Sequence, residues 1–189
     1  MNDAEETDNA GVPPEQLFEL FRKIDEAFRG EDIVALRAAL GQPQDFPNSQ
    51  MPKELEIGES VLHHAIFTSP PELIGKLLAA GADTNYGGSE NTPALFSAIL
   101  SERDERLDIM DLLLKYGADV GQMGYNDWTP LHLAVNVQDV EAIGFLVGHG
   151  ADPYWRASDD DADTSAFDDA LAMEFDEGVE AMLNGGSGR

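Results

Sequence analysis

Four aspartates, Asp159, Asp160, Asp161 and Asp163, stand within five positions of the stretch ADPYWRASDDDAD at residues 151–163. Carboxylates this dense suit a hard-cation loop, a solvated spacer or a charged contact face. A calcium loop of the EF-hand type needs oxygen ligands at positions one, three and five, glycine at six and a bidentate glutamate at twelve. Asp159, Asp161 and Asp163 meet the first three requirements, but Thr164 takes the sixth place and Ala170 the twelfth. Without the tight turn and the bidentate ligand only a weak cation site remains, and no metal is assigned.

The other candidates for chemistry are as thin. The chain has no cysteine, which excludes disulfides, thiolate zinc sites and cysteine nucleophiles. It contains no G-x-S-x-G elbow, phosphate loop or H-E-x-x-H helix. Its many carboxylates include no pair set apart by an apolar neighbourhood that would split their pKa values. The histidines are His63, His64, His132 and His149, the last directly before Gly150, where it could bond the terminal carbonyls of a helix. The expectation is a non-enzyme with no catalytic residue and no cofactor.

Charge narrows the partners. Thirty-seven acidic residues against eleven basic ones give a formal charge of -26. Such a surface repels phosphate and anionic lipid and attracts cationic proteins within the reach that salt allows. Nucleic-acid binding by neutralising the backbone is excluded; the alternative is that acidity serves only solubility. The N-terminus MNDAEETDNAGVPPEQ has neither the basic nor the apolar region of a signal peptide, and no run is long enough to span a membrane. The expectation is a cytoplasmic protein, monomeric when free.

These residues must be held by a repeat. The triplet GAD recurs at Gly81, Gly117 and Gly150, spaced by 36 and 33 residues, and a period near 33 indicates a solenoid. Upstream of each triplet lies a related start: SVLHHA at Ser60, TPALFSA at Thr92 and TPLHLA at Thr129. Apolar pairs at helical spacing follow, such as Leu73, Ile74, Leu77 and Leu78, so each unit holds two short helices. Proline at a first helical turn, glycine in a left-handed cap and small alanines between layers are the physical reasons for the pattern. Between Thr92 and Gly117 the middle unit is four residues longer than the others, which places an extended turn at Ser101 to Arg106.

The run TPLHLAVNVQDVEAIGFLVGHGAD, Thr129 to Asp152, resembles the ankyrin repeat family without a gap, and the likeness extends over residues 58–183. It implies an all-α ankyrin-repeat solenoid of about three full repeats over 59–164. Helical residues 13–40 cap the N-terminal end, a Pro-rich connector follows at 41–58, and a degenerate unit at 165–183 caps the other end. Residues 1–12 read as a disordered acidic start and 184–189 as a flexible tail. Leu17, Phe18, Phe21, Ile24 and Phe28 form the apolar stripe of the first helix. The resemblance gives His63 and His132 a structural role, bonding backbone between adjacent repeats.

It also implies that the stretches Thr84 to Asn91, Val120 to Trp128 and Pro153 to Thr164 project as fingers, the last about three residues longer than usual. The aromatics gather there: Tyr86, Tyr125, Trp128, Tyr154 and Trp155. Tyr86, Gln122 and Trp155 occupy the same place after their GAD glycine, so they should align along one edge. Trp128, directly before Thr-Pro, should pack against its own finger. Rigid aromatics on exposed loops are the usual anchors of interfaces. The binding residues expected are therefore Tyr86, Gln122, Tyr125, Trp128, Tyr154, Trp155 and the four aspartates. The expected function is to bind and inhibit a basic partner, a cationic toxin or effector, since the chain is similar to small bacterial immunity proteins. The alternative is an ankyrin scaffold or adaptor.

Overall fold

The computed structural model describes residues 13–55, 59–86, 92–158 and 163–185. Within them the chain is a row of antiparallel helix pairs: α1 (Pro14–Arg29) with α2 (Ile33–Ala39), α3 (Val61–Thr68) with α4 (Pro71–Ala79), α5 (Ala94–Leu100) with α6 (Arg106–Lys115), α7 (Pro130–Asn136) with α8 (Val140–Gly148), and α9 (Ala166–Ala172) with α10 (Asp176–Gly185). The first helices pack in sequence, α3 on α5, α5 on α7 and α7 on α9, while α4, α6, α8 and α10 form the second layer. The core is continuous between the layers, built from Ile66, Leu73, Leu77, Ile109, Leu113, Leu146 and their neighbours. Neighbour-to-neighbour burial of this kind is what lets short helices persist, since every helix of the row after α1 is shorter than the roughly 12 to 15 residues that an isolated helix needs.

Each repeat ends the same way. Gly81, Gly117 and Gly150 have φ of 96°, 95° and 97°, a region that side chains resist. The aspartate of each triplet then closes a local turn: Asp83, Asp119 and Asp152 accept from the amides of Asn85, Gly121 and Tyr154, each at 2.9 Å.

The middle repeat differs from its reading in the sequence. Its first helix is capped at Pro93, not Thr92. From the cap to the GAD glycine this unit is then three residues longer than its neighbours, not four, and its finger has the same length as the second one. The threonine of a Thr-Pro pair misleads here because the proline itself, at φ -57° and ψ 154°, supplies the extended cap conformation. One residue of register moves Phe96 into the place held by His63 and His132.

The N-terminal stripe also divides. Ile24 and Phe28 are buried and Leu20 packs on the core, but Phe18 and Phe21 remain 66% and 49% exposed. Length is the reason: sixteen residues of α1 extend about 24 Å and the seven of α2 about 10 Å at 1.5 Å per residue, so the first turns of α1 overhang their cover. At the other end α10 runs two residues past 183, and the tail that remains, 186–189, lies outside the described residues, as do 1–12.

The third finger carries two short strands, β1 (Arg156–Ser158) and β2 (Asp163–Ser165), paired antiparallel with Arg156 opposite Ser165.

Candidate functional site

The fingers are tied to one another by side chains that speak for the backbone. Asn85 donates from Nδ2 to the Gly117 carbonyl at 2.9 Å and accepts from the Asp119 amide at 2.9 Å. One repeat earlier Asn48, in the Pro-rich connector, does the same to Gly81 at 3.0 Å and Asp83 at 2.7 Å. The connector therefore takes the place of a finger at the N-terminal end of the row, and it is pinned there by a bridge between Gln50 and Ser60. An asparagine is suited to this because its amide offers a donor and an acceptor side by side, matching the two unpaired groups of a GAD turn.

Under the fingers lie the histidines. His63 Nε2 is 2.7 Å from the Thr92 carbonyl, which can only accept, so that nitrogen carries the proton and Nδ1 accepts from Ser60 Oγ at 2.6 Å. His132 Nδ1 accepts from Thr129 Oγ1 at 2.8 Å and the Thr129 amide at 3.3 Å. Burial lowers both pKa values; the Thr92 carbonyl and Glu59 oppose it at His63, the Thr164 backbone and Asp169 at His132. In the middle repeat Phe96 donates nothing, and its ring instead meets Tyr125 edge-on at 5.4 Å, with Trp128 5.9 Å from Tyr125. The Trp128 carbonyl, left without a histidine, accepts from the Gly124 amide at 2.8 Å inside its own finger. At the solvent-facing end His149 Nδ1 bonds the Phe145 carbonyl at 2.8 Å.

The expected binding residues thus separate into two groups. Tyr125 and Trp128 are half-buried and hold the second finger to Phe96; burial raises the Tyr125 hydroxyl pKa. Gln122 donates to the Asn85 carbonyl at 2.6 Å, joining neighbouring fingers. Tyr86, Tyr154 and Trp155 point outward, 44%, 59% and 48% exposed. Gln50 donates to the Tyr86 hydroxyl at 3.4 Å, and the Tyr154 ring rests 5.2 Å from Phe167, so both tyrosines are oriented without being covered. Asp159, Asp160 and Asp161 lie outside the described residues. Asp163 opens β2, opposite Ser158. Among the described residues no cluster of His, Asp or Glu could hold a metal ion, and no helix is long and apolar enough to cross a membrane.

The sequence reading passed over other exposed apolar side chains. Met123 sits on the second finger, 45% exposed. Phe67 and Leu100 each follow their cap by seven residues and Val137 and Met173 theirs by eight. All four are exposed near the C-terminal ends of adjacent first helices. The signal was a period of one apolar residue per repeat, seven or eight places after each helix start.

The extended turn is not free surface. Arg103 donates to the carbonyls of Ile66 at 2.9 Å and Ser69 at 2.6 Å, closing the end of α3. Arg106 grips Asp139 through two bonds of 2.6 and 2.9 Å and reaches Glu141 at 2.6 Å. Burial alone would raise the Asp139 pKa, but the bonds from Arg106 and the Ala142 amide hold it below the usual carboxylate value. The inserted residues thus staple three consecutive repeats.

Comparison with known proteins agrees with this architecture. A family model described as ankyrin repeats, three copies, matches residues 62–157. Protein phosphatase 1 regulatory subunit 27 of Mus musculus is 37% identical over 87 residues, 46% of this chain and 52% of that protein. The ankyrin repeat and KH domain-containing protein mask-1 of Caenorhabditis elegans is 28% identical over 137 residues, 72% of this chain and 5% of that protein. Human palmitoyltransferase ZDHHC13 is 30% identical over 128 residues, 67% and 18% respectively. The chain spans about half or less of the length of these relatives. With the glycine caps, the His63 bond to the next repeat and the two-layer stack in place over the matched residues, the chain belongs to the ankyrin repeat family.

Proposed function

We propose that this chain is a stoichiometric binding module that captures a basic protein on its finger edge and, by covering it, inhibits it. The observation that carries the reading is the outward placement of Tyr86, Tyr154 and Trp155 on fingers fixed by side-chain bonds, in a chain of charge -26. Aromatic anchors held in place lose little entropy on binding, and the acidic field steers a cationic partner toward them. The likeness to a phosphatase regulatory subunit fits a protein that controls another by contact rather than by chemistry. A cationic toxin or effector is the partner class that the charge suits. Asp159, Asp160, Asp161 and Asp163 act in this reading as steering charges around the third finger.

The test is capture from a lysate of the native cell on the immobilised chain, at low and high salt, beside the Tyr154→Ala/Trp155→Ala variant. The expected result is a basic protein retained at low salt, released as salt rises and not retained by the variant. Retention that ignores both salt and the aromatic substitutions would favour the scaffold reading, in which acidity serves only solubility.

A further inference from the structure

The ladder of asparagines along the fingers stops one repeat short. Asn48 serves the GAD turn at Gly81, and Asn85 serves the one at Gly117. Asn85 stands four residues after its GAD glycine; the same position on the second finger is Gly121, which has no side chain to offer the third turn. Among the described residues nothing donates to the Gly150 carbonyl and nothing accepts from the Asp152 amide, and both residues are exposed.

Asn85 and Gly121 are otherwise set alike, their amides donating to the Asp83 and Asp119 carboxylates at 2.9 Å each. The backbone does not demand a glycine there. Gly121 has no positive φ, and a Cβ on it would meet only Asp119 Oδ1, at 3.6 Å, an ordinary contact. Gly121 therefore leaves the third turn open where conformation allows it to be closed.

The third turn is fixed from within all the same. Asp152 accepts from the Tyr154 amide at 2.9 Å through its carboxylate and from the Trp155 amide at 3.3 Å through its carbonyl, and the Phe167 amide donates to the Pro153 carbonyl at 3.1 Å. A donor and an acceptor held in place bind at little entropic cost. The two earlier turns show which group fits such a pair: a primary carboxamide, with bonds of 2.7 to 3.0 Å. Lysine and arginine can only donate and an ionised carboxylate can only accept, so neither satisfies both atoms.

We propose that the third GAD turn is a subsite for a primary carboxamide, the side chain of an asparagine or glutamine on the partner. Its nitrogen donates to the Gly150 carbonyl and its oxygen accepts from the Asp152 amide. The assignment rests on the finger-edge reading, because the subsite adjoins Tyr154 and Trp155 and one partner supplies both contacts. It adds selection to steering: the acidic field draws any cationic protein, and the subsite favours one that presents a carboxamide among its basic residues.

Two basic peptides test this on the full chain, acetyl-Lys-Lys-Asn-Lys-Lys-N-methylamide and its counterpart with alanine in place of asparagine. The readout is the Asp152 amide in a nitrogen–proton correlation spectrum. It should shift to low field and saturate with the asparagine peptide, and stay in place with the alanine peptide. Gly121→Asn puts the carboxamide in the chain itself. It should shift the Asp152 amide without any peptide, abolish the response to the peptide and raise the urea midpoint, whereas Gly121→Ala keeps the response. An equal shift with both peptides means that extended backbone occupies the turn, and overturns the proposal. So does a response that persists undiminished in Gly121→Asn, or the lack of any saturable shift at Asp152. The assay needs neither the captured protein nor the aromatic substitutions, so its failure is distinct from failure of the finger-edge reading.

Discussion

At the scale of the residue, the informative side chains are those that replace backbone contacts. His63 and His132 are buried as neutral rings, with folded pKa values below the usual one of about 6.5. The sign follows: between the unfolded and the folded pKa the unfolded chain binds protons that the native chain refuses. Stability from this source is complete above about pH 6.5 and declines as pH falls below it. Replacing both histidines by glutamine should flatten the dependence of melting temperature on pH between 7.5 and 5.5, whatever it does to the absolute value; an unchanged slope would contradict the assignment. Arg106 offers a second measurement. Its removal by Arg106→Ala leaves Asp139 half-buried without its partner, and should cost about 2 kcal/mol in urea unfolding, the range for hydrogen bonds to charged groups. Both histidines were visible in the sequence by their place in the motif. The arginines were not, because Arg103 finds Ile66 and Ser69, and Arg106 finds Asp139, across more than thirty residues of chain.

At the scale of the element, the fingers behave as a connected row rather than as independent loops. Asn48 and Asn85 make the same pair of bonds one repeat apart. Asn48→Ala and Asn85→Ala should each lower stability by about 1 kcal/mol, the net worth of hydrogen bonds to exposed backbone groups that water can partly replace. The Asn85 variant should also loosen Gln122, seen as faster amide exchange in the second finger. The helix pairs, glycine caps and repeat length could be read from periodicity because each is a local property of twenty or so residues. The Pro-rich connector could not: nothing in GQPQDFPNSQ announces a finger, and only the meeting of Asn48 with Gly81 reveals it. The same limit explains the one-residue error at Thr92, where local preference favoured threonine and the stacking of Ala94 to Ile99 fixed the cap at Pro93. It explains α1 as well, whose stripe is visible in the sequence although the shortness of its cover is not.

At the scale of the whole molecule, exposed aromatic side chains lie in two places. The finger edge presents Tyr86, Tyr154 and Trp155 on an acidic chain, and the overhang of α1 presents Phe18 and Phe21. The proposed contact anchors a basic partner on Tyr154 and Trp155 and steers it by aspartate. It is tested most directly by the binding kinetics of the captured basic partner on three forms of the chain: the parent, Tyr154→Ala/Trp155→Ala, and the four-fold aspartate-to-asparagine variant at 159, 160, 161 and 163. The aromatic variant should dissociate at least thirty-fold faster, since an anchor at an interface centre is worth about 2 kcal/mol or more. Its melting temperature should match the parent's, whereas Leu113→Ala in the core loses about 2 to 5 kcal/mol. The asparagine variant should associate more slowly and with a flatter salt dependence, at a nearly unchanged dissociation rate. An aromatic variant that melts like Leu113→Ala, or that binds with the parent's rates, would contradict the account.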